Sequence, residues 1–149
     1  MTSNYEDFTD LITTSYRAIQ KIKATGMKKI NLKARDVDCI YYLSRYPEGL
    51  SNSRLVDLTG VDKAAVSRTL NHLADNGYVT LSPEDEQKKY GRRHVLTDPG
   101  RAAAAQIDRT VSEVVKTIGE TINPNDRNRF YDTFHSISDQ LTTLSKDYN

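Results

Sequence analysis

The chain has no tryptophan, one cysteine and four prolines. With Cys39 as the single thiol, no intramolecular disulfide is possible, which fits a reducing compartment. No stretch approaches the ~18 apolar residues of a membrane-spanning helix. Met1-Thr2-Ser3-Asn4-Tyr5-Glu6-Asp7 lacks the basic and apolar regions of a secretory signal. The expectation is a cytoplasmic protein with no membrane partner. Excess charge is missing too, because 21 Lys+Arg against 20 Asp+Glu leave a net +1. That excludes a histone-like arm and an acidic tail, so any nucleic-acid binding must come from a local patch. There is no Gly-x-Ser-x-Gly, no phosphate-cradling glycine loop and no His-Glu-x-x-His. The acids Asp36 and Asp38 point to different faces of a helix, and the chain is read as non-enzymatic. His72, His94 and His135 lack the spacing of metal ligands, so no metal and no cofactor is expected.

What is present is helical. Leu, Ile, Val and Phe make up 33 of 149 residues, just above the roughly one-fifth below which chains tend to stay disordered. A core that thin favours helices with one apolar stripe and association of subunits. From Asp7 to Thr25, Phe8, Leu11, Ile12, Ile19 and Ile22 recur at helical spacing, and Gly26 ends the run. Residues 11–35 hold Arg17, Lys21, Lys23, Lys28, Lys29, Lys33 and Arg35 with no acid among them. One reading is a solvated face and a basic loop; the other is auxiliary phosphate contact or a site for an anionic effector. A second helix is predicted over Lys33–Arg45, with Val37, Ile40 and Leu43 inward and Cys39 as a small core-side thiol. After Tyr46-Pro47-Glu48-Gly49, Ser51 is placed to cap a short helix carrying Leu55, Val56 and Leu58. Asp62 caps a helix from Lys63 to Asn76, closed by Gly77.

Two short helices joined by a glycine-containing turn form a helix-turn-helix pattern. The period then changes. Tyr78-Val79-Thr80-Leu81 and His94-Val95-Leu96 read as the two strands of a hairpin, a wing, around a polar turn. Thr97 and Pro99 open a long helix with the stripe Ala104, Ile107, Val111, Val114, Ile118 and Ile122. Asn123-Pro124 opens the last helix, whose stripe Phe130, Phe134, Ile137, Leu141, Leu144 and Tyr148 is a heptad seam.

On a helical wheel of ~100° per residue, Val66, Leu70 and Leu73 face inward. Ala64, Arg68 and Asn71, flanked by Ala65, Ser67 and His72, then face outward. Small residues let a backbone approach a groove wall. An arginine can bond guanine bidentately, and an asparagine can pair with adenine. The wing tip adds Lys88, Lys89, Arg92 and Arg93, suited to phosphates or the minor groove. Ser51, Asn52, Ser53 and Lys63 complete the expected DNA-contact set.

Residues 50–70, Leu50-Ser51-Asn52-Ser53-Arg54-Leu55-Val56-Asp57-Leu58-Thr59-Gly60-Val61-Asp62-Lys63-Ala64-Ala65-Val66-Ser67-Arg68-Thr69-Leu70, resemble the core of the MarR family of bacterial transcription regulators. Leu73-Ala74-Asp75-Asn76-Gly77-Tyr78-Val79 and Leu96-Thr97-Asp98-Pro99-Gly100 are similar to that family's helix exit and post-wing motifs. The resemblance implies a mostly α fold with a small β-hairpin wing. It implies a winged helix-turn-helix lobe over about 33–100 within a single domain, 1–149. It further implies dimerisation helices over about 5–25 and 101–148. Each subunit of a homodimer would read half of an inverted-repeat operator on double-stranded DNA and act as a repressor, with a small aromatic or anionic effector between dimer helices and winged head. Tyr16, Tyr41, Tyr42 and Tyr46 are candidates to line such a pocket, or are ordinary half-buried tyrosines. Phe8, Leu11, Ile12, Phe130, Phe134, Ile137, Leu141 and Leu144 are the candidate dimer contacts. One departure stands out: the family's Asp-x-Arg at the wing is here Asp85 followed by Gln87, with the first arginine at Arg92. Arg92 or Arg93 is therefore expected in the minor groove. Two alternatives stay open on sequence: a redox or metal switch on the same scaffold, and a helical dimerisation module that does not read DNA.

Overall fold

The computed structural model describes residues 2–148. Among the described residues there are six α-helices: α1 (Thr2–Gly26), α2 (Ala34–Arg45), α3 (Asn52–Thr59), α4 (Lys63–Asp75), α5 (Asp98–Gly119) and α6 (Pro124–Ser145). Three strands, β1 (Leu50–Ser51), β2 (Val79–Leu81) and β3 (Arg93–Leu96), form one antiparallel sheet in the order β1-β3-β2. Short 3₁₀ turns cover Lys28–Ile30, Pro83–Asp85 and Lys146–Tyr148. Among the described residues, no helix is long and apolar enough to cross a membrane. The chain divides into two compact units, residues 1–110 and 111–149.

Helix starts follow local capping chemistry. Ser51 Oγ accepts from the Arg54 N–H, Asp62 Oδ1 from the Ala65 N–H, and Asn123 Oδ1 from the Asn125 N–H. Each bond satisfies a donor that the first helical turn leaves free. Thr97 Oγ1 accepts from the Gly100 N–H at 3.2 Å and donates to the Gly77 carbonyl, tying the start of α5 to the exit of α4.

In the first unit, Ile40, Leu43, Leu55, Val66, Leu70, Leu73, Val79 and Ile107 are sealed in one cluster. Each such side chain contributes about 1.5–3 kcal/mol by leaving water. Cys39 lies in this cluster, and burial, then Asp38 and Asp36, push its thiol up to about 12. At neutral pH it stays protonated, the unreactive form. In the second unit, α6 has no buried residue: Phe130, Phe134, Leu141 and Leu144 are exposed and Ile137 is half-buried.

Two elements differ from the sequence expectation. The first helix begins at Thr2 rather than near Asp7, since no proline or glycine interrupts the intervening residues. The wing has a third strand as well, because Leu50 and Ser51 pair with His94 and Arg93. Gly49 makes this possible: its φ is +90°, and a Cβ there would lie 2.8 Å from the His94 carbonyl oxygen.

The base of the wing is held by one buried carboxylate. Asp85 is fully buried, and its Oδ2 accepts from the Arg93 backbone N–H (2.8 Å) and from Arg93 Nε (2.9 Å). Arg93 Nη2 also donates to Asp85 Oδ1 (3.1 Å) and Glu84 Oε2 (2.8 Å), and Nη1 donates to the Glu48 carbonyl (2.9 Å). Lys88 Nζ completes the cage at 2.6 Å from Asp85 Oδ1. The Arg93 side chain, then Lys88, hold the Asp85 carboxyl well below the usual carboxylate range. Because that pKa is lowered, its contribution is complete above the ordinary carboxylate range and is lost only as pH falls through the lowered value, in strong acid.

Two outcomes follow from this packing. At Gly100 a Cβ would meet the Tyr78 carbonyl oxygen at 2.0 Å, so Gly100→Ala forces α5 away from the α4 exit. Urea denaturation is expected to show a loss of about 1–3 kcal/mol. Asp85→Asn removes the charge facing Arg93 and Lys88. Hydrogen exchange of amides between residues 82 and 93 is expected to speed by about tenfold or more, with α4 unchanged.

Candidate nucleic-acid interface

Helix α4 buries Val66, Thr69, Leu70 and Leu73, and this sets its rotation. Ala64, Arg68 and Asn71 consequently stand exposed on the opposite side, with Lys63 at the start of the helix. Ser67 is half-buried, and its hydroxyl accepts from Asn52 Nδ2 at 3.1 Å, which fixes α3 against one flank of α4.

The other flank departs from the wheel. Ala65 was expected outward, yet it is only 2% exposed. It lies against the start of α2, where Ala34, Arg35 and Asp36 line the same cleft. An alanine ~100° from the centre of the outward face is within reach of a neighbouring helix, and burying its methyl favours that contact. Ala65 is therefore part of the packing and is unavailable to a groove. His72 is half-exposed, with Nδ1 3.2 Å from Oδ1 of the buried Asp36. Asp62 at the cap of α4 has its pKa lowered by the Ala65 N–H bond and by the nearby Arg68 and Arg35.

A second cleft, of ≈ 550 Å³, runs between α3 and the wing. It brings Ser51, Asn52, Ser53 and Lys63 together with Lys89, Tyr90 and Arg92. Ser51 is engaged in capping α3, and its Oγ is 3.3 Å from that of Ser53. Of the four wing cations singled out in the sequence, two are committed. Arg93 is enclosed by Asp85, Glu84 and Glu48, so it is corrected from a groove-reaching side chain to an internal brace. Its place on the central strand β3 directs it to the wing base rather than the tip. Lys88 is half-exposed and paired with Asp85. Lys89 and Arg92 remain exposed and make no ion pair among the described residues.

The sequence reading did not identify Asp85 as an anchor. The available signal was the acid at the start of the wing without its usual nearby arginine, which leaves a distant cation as the partner. Lys33 and Arg35 were noted as part of a basic run, but their place beside Arg68 requires the packing of α2 on α4.

Residues 30–89 match the sequence model of the MarR family. Comparison with curated proteins found no match. Among solved structures, a MarR transcriptional regulator from Methanosarcina mazei Go1 superposes with a TM-score of 0.82 at 19% identity, covering 93% of this chain and 99% of that one. The transcriptional regulator SlyA gives 0.85 at 17% identity, with 96% and 99% covered. Streptococcus pneumoniae FabT, solved in complex with DNA, gives 0.78 at 17% identity, with 94% and 99% covered. These structures share the winged-helix fold, and over residues 30–89 the chain is similar in sequence to the MarR family.

Proposed function

We propose that the protein is a sequence-specific, double-stranded DNA-binding transcription regulator that acts as a homodimeric repressor. The observation that carries this reading is the outward face of α4, where Arg68 and Asn71 stand exposed beside a wing tip bearing the exposed cations Lys89 and Arg92. Arg68 has the fork geometry for guanine O6 and N7, and Asn71 the amide for adenine. Lys63, Lys89 and Arg92 meet phosphates or the minor groove. FabT, of the same fold, was solved with DNA bound.

One recognition helix discriminates too weakly to find a site among genomic competitors. Two copies on an inverted repeat, with half-sites about 34–36 Å apart, double the contacts. The apolar seam of α6 supports the dimer: Phe130 is 59% and Leu144 55% exposed in the single chain. Exposed apolar surface of that extent marks an interaction face. Leu11 and Ile12 on α1 are also exposed, and Phe8 is half-buried.

A cleft of ≈ 700 Å³ under the wing, lined by Leu43, Pro47, Glu48, Glu84, Leu96 and Arg101 among others, is the candidate effector site. Its carboxylates outnumber its cations, which favours an uncharged aromatic ligand over an anion. Tyr41, Tyr42 and Tyr46 pack on the core instead of lining it. Glu84 also holds Arg93, so a ligand there acts on the wing directly, and repression is relieved by its unequal affinity for the two wing arrangements.

Duplexes enriched from a random pool by the purified protein provide the test. Arg68→Ala is expected to lose about 1–3 kcal/mol of discrimination at one base position. Lys89→Ala is expected to weaken all duplexes alike and make the salt dependence shallower by about one unit of slope. Identical behaviour of the two variants would refute the division into reader and clamp. For assembly, Leu141→Asp is expected to convert a dimer into a monomer in sedimentation velocity. A wild-type protein that sediments as a monomer at micromolar concentration would refute the dimer.

A further inference from the structure

The groove-facing side of α4 has two flanks, and only one is accounted for by α3. On the other, a cleft of ≈ 480 Å³ separates the start of α2 from α4. Its polar lining includes Lys33, Arg35, Asp36, Arg68 and His72. Lys33, Arg35 and Arg68 are exposed and make no ion pair among the described residues. Asp36 is the one carboxylate in the lining, and it is 3% exposed. Its oxygens are occupied: Oδ2 accepts from the Lys33 backbone N–H at 2.8 Å, and Oδ1 faces His72 Nδ1 at 3.2 Å. The cleft thus has a satisfied acidic floor and a mouth of three exposed cations, of which Arg35 and Arg68 also lie in the field of the exposed Asp62 carboxylate at the cap of α4.

We propose that this cleft is a second DNA-backbone site, in which Lys33 and Arg35 bind phosphates bordering the groove that α4 enters. The inference rests on the DNA-reading function proposed above and adds to it a contact from outside the helix-turn-helix and wing. Continuity carries it. Arg68 belongs both to the outward face of α4 and to the cleft, so a duplex engaging Arg68 is already at the cleft's edge. The major groove is ~12 Å wide and walled by two rows of phosphates. A helix lying in it therefore sets each flank beside one row. The α3 side, with Lys63 and the wing cleft, meets one row, and Lys33 and Arg35 meet the other. The fit is to a phosphate of the duplex backbone; a free inorganic anion shares that chemistry and is separated by the test.

Lys33 and Arg35 are exposed, and the capping bond at position 33 uses the backbone N–H, so a Lys33→Gln/Arg35→Gln double variant keeps the fold. Its affinity is measured between 50 and 200 mM salt on a duplex enriched by the wild type and on a mixed-sequence duplex. Removal of two phosphate contacts is expected to make the slope of log K against log salt shallower by about 1.8, so the variant loses about tenfold less affinity across that range. The weakening should be equal on both duplexes. Neutral methylphosphonate linkages walked along each strand should reveal positions that weaken the wild type but leave the variant unaffected. An unchanged slope, or a loss confined to the enriched duplex, overturns the site. Loss of inorganic phosphate binding in the variant with duplex binding intact also overturns it, as that result assigns a free-anion site. If the wild type binds no duplex at all, the DNA-reading function itself fails; a wild type that binds with the same slope as the variant removes only this contact.

Discussion

Rotation of α4 about its own axis is the constraint on which the surface depends. Val66, Leu70 and Leu73 must leave water together, and the apolar cluster built with α2, α3 and β2 receives them. A shift of one residue would swing Arg68 by ~100° and put a polar position into the core. Burial on one side therefore decides which side chains meet solvent on the other. It also fixes the flanks, with Ser67 bonded to Asn52 and His72 placed beside Asp36.

The wing obeys a different rule. A buried carboxylate is costly unless every oxygen has a partner. Asp85 meets that demand by gathering Arg93 and Lys88, and Arg93 extends the network to Glu84 and the Glu48 carbonyl. Two of four wing cations become internal components, while Lys89 and Arg92 keep their charge at the surface. Because β3 is the central strand, the same residue that neutralises Asp85 also spans toward the segment before β1. The wing is consequently a braced platform, and the proposed effector cleft shares Glu84 with its brace.

Much of this arrangement was legible in the residue string. Helix boundaries came from Ser51, Asp62 and Asn123, each of which does cap a helix, and from the periodic stripes of α2, α4 and α6. The motif Leu96-Thr97-Asp98-Pro99-Gly100 has a local explanation: Thr97 bonds the Gly100 N–H, and Gly100 lets the helix pass against Tyr78. The exposed seam of α6 was also visible as a heptad pattern, since an apolar face repeats whether or not a partner covers it.

What the sequence by itself determined is what acts over a turn or two of chain: capping bonds three residues apart, helical and strand periods, and glycines where a side chain has no room. Tertiary structure alone decided that Ala65 is packed away, that Arg93 turns inward, that Leu50 and Ser51 add a strand, and that Lys33 and Arg35 stand beside Arg68. Those outcomes join residues far apart in the chain, as with Asp36 and His72 or Glu48 and Arg93. A side chain's hydrophobicity or charge states what environment it requires. Which neighbour supplies that environment is settled only when distant segments compete for the same buried space.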